Sequence, residues 1–384
     1  MFYDRYSILA LFFVTLPQNK LSWQASTYIY PSAKSVALTV IRALCHELTD
    51  RKNYLKGEPI ETIYLGGGTP SQLAKEDFEA IFSHIYKVYK VTPNAEITLE
   101  ANPDDLTSEY ISMLRTFPFN RISMGIQTFQ ETTLKQLQRR HTADQAIRAF
   151  QGCRTAGFQN ISIDLMYGLP GETLTSWKKD LKQALSLHPE HISAYHLIYE
   201  EGTPLWKLRE QHKVEEADED LSVSLFGTLI DELTTAGYEH YEISNFCLPG
   251  LHSRHNSSYW TEKQYLGCGP SAHSYNGISR QWNVASLDKY IEGISSGNPT
   301  FEVEELDLYT RYNDFVITHI RTQWGMPLPK LGKQYGEELY KYCLHMATPH
   351  LQQGTLEIKN DTLKLTRKGV FISDGIMSDM LWVE

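Results

Sequence analysis

The chain has 384 residues, too many for one small module and enough for two or three domains, although a barrel alone commonly exceeds about 200 residues. Hydrophobic residues make up 41% and charged residues 21%, which suits a soluble chain with a sizeable core. The net charge of −10 argues against a general nucleic-acid binder, which needs a basic surface, and leaves room for a local basic pocket.

Residues 8–16 form the longest apolar run, broken only by Thr15. It is far short of the roughly 20 residues of a membrane helix. The leader Met1-Phe2-Tyr3-Asp4-Arg5 is not basic, so the run reads as a buried strand rather than a signal-peptide core. A helix is predicted over about 32–54, with Val36, Val40, Leu44 and Leu48 along one side. Residues 60–65 are the second apolar run. A glycine turn and a helix follow, with Phe78, Ile81, Phe82, Ile85 and Val88 at three-and-four spacing. Strands are predicted at 96–100 and 121–126, with a short helix around 110–115 between them. A helix over 143–156 stops at Gly157, and strand 161–166 follows. Residues 177–187 read as helix, 191–197 as strand and 221–236 as helix, stopped by Gly237.

Six strand–helix units in series specify parallel strands with crossover helices. Such a series can close fully, close partly or stay open and doubly wound, and periodicity does not choose. After about residue 295 the rhythm changes. Residues 302–321, 336–342 and 377–381 read as helical. Residues 355–358 and 362–365 read as a hairpin around Lys359-Asn360-Asp361. We therefore expect an α/β fold over 1–295 and a smaller helical, winged-helix-like domain over 296–384.

Five cysteines, Cys45, Cys153, Cys247, Cys268 and Cys343, are widely spaced, with no C-x-x-C or C-x-x-x-C. They form neither a disulfide framework nor a local metal-ligand cluster, and suit a reducing cytoplasm.

Gly66-Gly67-Gly68-Thr69-Pro70 directly follows a strand. Its open backbone N–H groups suit either ligand binding or a tight strand-to-helix turn. Polar residues stand at the apolar runs: Glu100, Gln127 and Asp164. In a parallel barrel the carboxyl ends of the strands hold the active site. A carboxylate there can grip an ammonium group or ribose hydroxyls, and Gln can do the latter. Any one of them alone could equally bond loop backbone; three at equivalent places favour a site. In Arg139-Arg140-His141 an arginine can clamp a carboxylate, or the pair can be a solvated face. Tyr167-Gly168-Leu169-Pro170-Gly171 reads as a structural turn. His255-Asn256-Ser257-Ser258-Tyr259-Trp260 packs an imidazole, an amide and two aromatics into six residues; it suits a haem ligand or an ordinary hydrogen-bonded loop.

Together these strings resemble the radical S-adenosylmethionine (SAM) family of oxygen-independent coproporphyrinogen oxidases. The matching runs are 64–71 (YLGGGTPS), 96–103 (EITLEANP), 121–129 (RISMGIQTF), 163–171 (IDLMYGLPG), 191–195 (HISAY), 241–246 (YEISNF) and 255–260 (HNSSYW). The last is similar to the haem-chaperone branch rather than the oxidase. The resemblance covers roughly residues 32–384. It implies a partial (β/α)6 barrel and a helical C-terminal domain. It also implies SAM contacts at Gly67, Gly68, Thr69, Glu100, Gln127, Arg139 and Asp164, and a haem-associated histidine at His255.

The departure lies at the front. Members of the family carry C-x-x-x-C-x-x-C after the first strand, and its thiolates hold a [4Fe–4S] cluster. Counting from Pro17, those positions fall on Asn19, Trp23 and Ser26, none of them a thiolate. The chain then either keeps the fold and haem handling without the cluster, or carries a leading segment that is not the native one, or is a non-catalytic scaffold. The expected function is haem binding and transfer to an acceptor protein, one that could be membrane-associated. Coproporphyrinogen oxidation is the alternative.

Overall fold

A computed structural model describes residues 7–12 and 33–383. Six strands run parallel in chain order: β1 (Ser7–Phe12), β2 (Ile60–Gly66), β3 (Val91–Ala101), β4 (Arg121–Gln127), β5 (Ile161–Tyr167) and β6 (His191–His196). The crossovers carry the helices Ala33–Asp50, Lys75–Val88, Ser108–Leu114, Ala143–Thr155 and Leu174–Ser186.

Alternation along the strands explains the curl. Ile63, Leu65, Leu99, Ile122, Ile163 and Ile192 are fully buried in the core. The opposite face carries Thr62, Tyr64, Thr98, Glu100, Ser123 and Asp164, in register from strand to strand. Each buried Ile or Leu contributes roughly 1.5–3 kcal/mol. That fixes the register, because a one-residue slip would turn the apolar face inward. The polar face therefore lines a lumen.

The barrel does not close. Beyond β6 come β7 (Glu239–Glu242) and β8 (Asn245–Cys247), antiparallel, with β8 next to β6. On the other side β9 (Tyr265–Cys268) pairs parallel with β1, followed by β10 (His273–Tyr275), β11 (Ser279–Asn283) and β12 (Phe301–Glu305). The result is a curled half-barrel of seven parallel strands with antiparallel margins.

A second core gathers Tyr312, Phe315, Leu331, Leu339 and Leu363. Its helices are Leu308–Ile320, Leu328–Gln353 and Ser373–Asp379. A three-stranded sheet of β13 (Met326–Pro327), β14 (Leu356–Lys359) and β15 (Thr362–Leu365) completes this helical region. Asn360 and Asp361 have φ of 52° and 55°, as the expected two-residue hairpin turn requires.

One expectation is corrected. The helix expected over 302–321 begins only at Leu308. Phe301 and Val303 alternate with Glu302 and Glu304, and this stretch pairs antiparallel with β11 as an edge strand. Asp307 then caps the helix, accepting from the Thr310 N–H at 2.7 Å. The helix expected over 336–342 lies within the longer Leu328–Gln353, where Gly336 (φ 86°) breaks the helical geometry. Asn19, Trp23 and Ser26 lie outside the described residues. No helix among the described residues is long and apolar enough to cross a membrane.

Candidate functional site

The carboxyl ends of β2 to β5 surround a cleft of about 230 Å³. Gly68, Thr69, Glu100, Gln127, Arg139 and Asp164 all line it. Gly67 stands at its edge and donates its N–H to Glu100 Oε2 at 2.9 Å. The structure thus brings together residues spread over about a hundred positions of sequence.

Each side chain is placed by a local cause. Gly67 has φ 87°, a conformation costly for any residue with a Cβ. At Gly66 a Cβ would collide with the Tyr64 ring and stand 2.7 Å from Glu100 Cδ. Glycine there lets the carboxylate reach across to the turn. Gln127 ends β4 at φ 70°, a strained backbone that swings its side chain over Gly125. Arg139 Nη2 donates to Asn102 Oδ1 at 2.8 Å and to the Gly125 carbonyl at 2.9 Å. Both acceptors are neutral, so these bonds orient the guanidinium without neutralising it.

The neighbouring arginine behaves differently. Arg140 pairs with Asp104 and Asp105, each at 2.9 Å, and is half-exposed.

Burial raises Glu100, while Tyr64, the Gly67 N–H and Arg121 pull it down; the net direction is up. Burial is also the main cause that pushes Asp164 up, to about 6; Glu100 adds to it, and Arg121, Ser193 and Ser123 oppose it. Deeper in the lumen Arg121 is 1% exposed, and its Nε and Nη2 have no hydrogen-bond partner. It is the buried positive charge beneath both carboxylates. Burial lowers the Arg139 guanidinium, opposed by Asp104, Asp105 and Asp164.

His255 does not line this cleft. It lies on the helix Arg254–Tyr259, whose Ser253 N-cap accepts from the Asn256 N–H. Glu96 accepts from the Arg254 and His255 N–H groups at 3.1 and 2.9 Å, anchoring that helix end with a carboxylate. The imidazole is 1% exposed. Its Nδ1 meets Thr62 Oγ1 at 2.8 Å and its Nε2 meets the Tyr259 hydroxyl at 3.0 Å. Burial, reinforced by Arg121, lowers it to about 3, so it is neutral. As arranged, neither ring nitrogen is free for iron. Trp260 ends the helix with Arg321 stacked over its ring at 4.2 Å.

The residues that sequence reasoning passed over are Tyr64, Asn102, Ser123 and Arg121. Tyr64 donates to Glu100 Oε1 at 2.6 Å, and its place two residues before Gly66, on the same strand face, was the available signal. Asn102 and Arg121 gave none, because their roles depend on partners far along the chain.

A radical SAM superfamily model matches residues 46–184 and a HemN C-terminal domain model matches residues 306–372. The chain is 31% identical to the heme chaperone HemW of Bacillus subtilis (strain 168) over 328 residues, 85% of this chain and 86% of that protein. This chain belongs to the radical SAM HemN/HemW family. HemW of Lactococcus lactis is likewise 31% identical, over 89% of this chain and 90% of its own. The HemN/HemW fold is matched by the solved structure of coproporphyrinogen III oxidase (HemN) from Escherichia coli. That match has a TM-score of 0.83 at 20% identity and covers 98% of this chain and 90% of that one.

Proposed function

We propose that this protein is a haem chaperone that takes haem as cargo and delivers it to an acceptor protein in the cytoplasm. The observation that carries this reading is the likeness to HemW proteins over 85–89% of this chain and 86–90% of theirs. His255 is the proposed axial ligand, through Nε2. Coordination requires the Tyr259 hydroxyl to leave that nitrogen, so iron exchanges with a hydrogen bond. The Nδ1 contact to Thr62 then stays and fixes the ring.

The cleft is proposed to bind SAM. Its donor set fits: a glycine turn without side chains, two carboxylates, an amide, and a guanidinium held by neutral oxygens. Asp164 and Glu100 can accept from ribose hydroxyls or an ammonium group, and Arg139 can take a carboxylate. In radical SAM proteins SAM supplies a radical only with a reducing cluster, so here it is proposed as a ligand.

The cluster does not fit. Tryptophan offers no lone pair, and Asn19 and Ser26 are not soft anionic donors. The nearest cysteine, Cys45, sits alone on the helix Ala33–Asp50, and burial pushes its thiol up to about 11. Coproporphyrinogen oxidation needs a cluster, and this donor set does not supply one, which favours the chaperone function.

Haemin titration of the full chain tests this. A saturable Soret shift at one equivalent, lost in His255→Ala, is expected. No shift in wild type would overturn the chaperone reading in favour of a scaffold. Anaerobic reconstitution with iron and sulfide should yield no stoichiometric cluster; four irons and four sulfides per chain would overturn the cluster-free account.

A further inference from the structure

Glu239, Cys247 and His252 converge at the far margin of the barrel, on β7, β8 and the loop that follows. Glu239 and Cys247 face each other across the antiparallel pair, so their side chains leave the same face of the hairpin. The loop 248–252 then folds back: the Leu251 N–H donates to the Leu248 carbonyl at 2.9 Å, and Gly250 takes φ 78°. That fold returns His252 over the pair. One ligand atom from each of the three lies within 4.8 Å of the others.

We propose that these three residues form a binding site for a zinc-class divalent cation, with a thiolate, an imidazole and a carboxylate as ligands and water in the fourth position. The donor set is borderline-soft, which suits Zn²⁺ and its spectroscopic stand-in Co²⁺ rather than Mg²⁺ or Ca²⁺. Tetrahedral zinc separates its ligand atoms by about 3.3–3.8 Å. His252 Nε2 and Glu239 Oε2 stand at 2.9 Å and all three ligand atoms lie within 4.8 Å of one another, so the set must adjust by up to about 1 Å. The carboxylate can supply that movement, since its side chain is 37% exposed. Cys247 is the fixed point, fully buried in the hairpin.

The surroundings are those of a supported site. Tyr241 stands edge-on to His252 at 4.8 Å and Trp324 packs against it at 5.4 Å. Gln323 Nε2 lies 3.3 Å from His252 Nε2, a contact that a metal ion on that nitrogen displaces, and the Gln323 N–H donates to the Tyr241 carbonyl at 2.9 Å. Metal-free, the Cys247 thiol is pushed up to about 12, by burial and then by Glu239. A divalent cation reverses both effects, and on binding the thiol proton passes to solvent. The bound ion would staple the β7–β8 hairpin to the loop that leads into Ser253 and His255, against the turn at Gln323–Trp324.

The test is Co²⁺ titration of the full-length, chelator-stripped protein. One equivalent should give a thiolate-to-cobalt charge-transfer band with tetrahedral ligand-field bands, displaced by Zn²⁺. Cys247→Ser should abolish the charge-transfer band. His252→Ala should weaken binding by at least about 100-fold, beyond the 10–100-fold that loss of a supporting group costs. Glu239→Gln, a change at a partly exposed side chain that leaves the core intact, should weaken binding at least about tenfold. Cys343→Ser, in the other core, should leave the spectrum unchanged. Absence of the band in wild type, its persistence in Cys247→Ser, or unaltered affinity in Glu239→Gln would each overturn the site.

Discussion

The Tyr64 ring lies flat on the His255 imidazole, with centroids 4.6 Å apart and planes 19° from parallel. The same phenol donates to Glu100 at 2.6 Å. One side chain therefore touches both the histidine of the HNSSYW helix and the carboxylate of the cleft. A single rigid ring thus stands in direct contact with both His255 and Glu100.

Tyr64→Phe separates the two contacts. The stack survives and the bond to Glu100 is lost, at roughly 1.5–3 kcal/mol for a bond to a charged acceptor. Affinity for S-adenosylhomocysteine, measured calorimetrically, should fall about tenfold or more. Haemin affinity should change less than about twofold, since His255 keeps its own partners. Equal losses of both would show that the ring does not divide the labour this way.

Tyr259→Phe removes the hydroxyl that occupies His255 Nε2 and keeps the edge-on ring contact at 5.2 Å. If iron replaces that hydrogen bond, the variant should bind haemin more tightly, by up to about tenfold, the worth of one hydrogen bond. Weaker binding would mean that Tyr259 serves the ligand directly or that His255 is not the ligand.

Asp164 carries a pH signature. Its folded value of about 6 lies above that of a free carboxylate. The folded state thus holds a proton that the unfolded chain releases. Its contribution to stability is complete below about pH 4, is lost as pH rises through about 6, and is flat above. Against Asp164→Asn, which does not titrate, the wild-type denaturation midpoint should decline across that window. Binding of an adenosyl ligand should run the other way, strengthening above about pH 6 as the carboxylate becomes an acceptor for hydroxyls. A difference between the two proteins that does not vary with pH would exclude the shift.

Gln127 stores strain at φ 70°. Gln127→Gly relieves about 1 kcal/mol of it and gives back a similar amount in unfolded-chain entropy. Stability, from urea denaturation, should stay within about 0.5 kcal/mol of wild type while cleft affinity falls. Gln127→Ala keeps the strain and loses the side chain, so it should be the less stable variant. The reverse order would show that the backbone at Gln127 carries no such strain.

Much of the barrel was legible from the chain. Six apolar runs with crossover helices gave β1 to β6, because alternation and three-and-four spacing follow from which face meets the core. Glu100, Gln127 and Asp164 were legible as a set because parallel strands bring equivalent ends together. The margins were not. β7 to β12 are three to five residues long, too short for an alternating period to mark them, and β8 and β9 join the barrel only by pairing with the distant β6 and β1. Residues 302–305 read as the start of a helix for that reason: the partner strand β11 decides, and local propensity does not.

The sequence by itself determined the strand–helix series, the glycine turn, the polar strand ends and the absence of a thiolate at positions 19, 23 and 26. These depend on residue identity and short-range spacing alone. Only the tertiary structure decided that His255 has both nitrogens engaged, that Tyr64 joins it to Glu100, and that Cys247 meets Glu239 and His252. The Thr62–His255, Tyr64–His255 and Tyr64–Glu100 contacts join residues far apart in the chain, brought together by how the sheet curls, while the Glu239–Cys247–His252 cluster depends on the register of the β7–β8 hairpin and the fold of the loop after it.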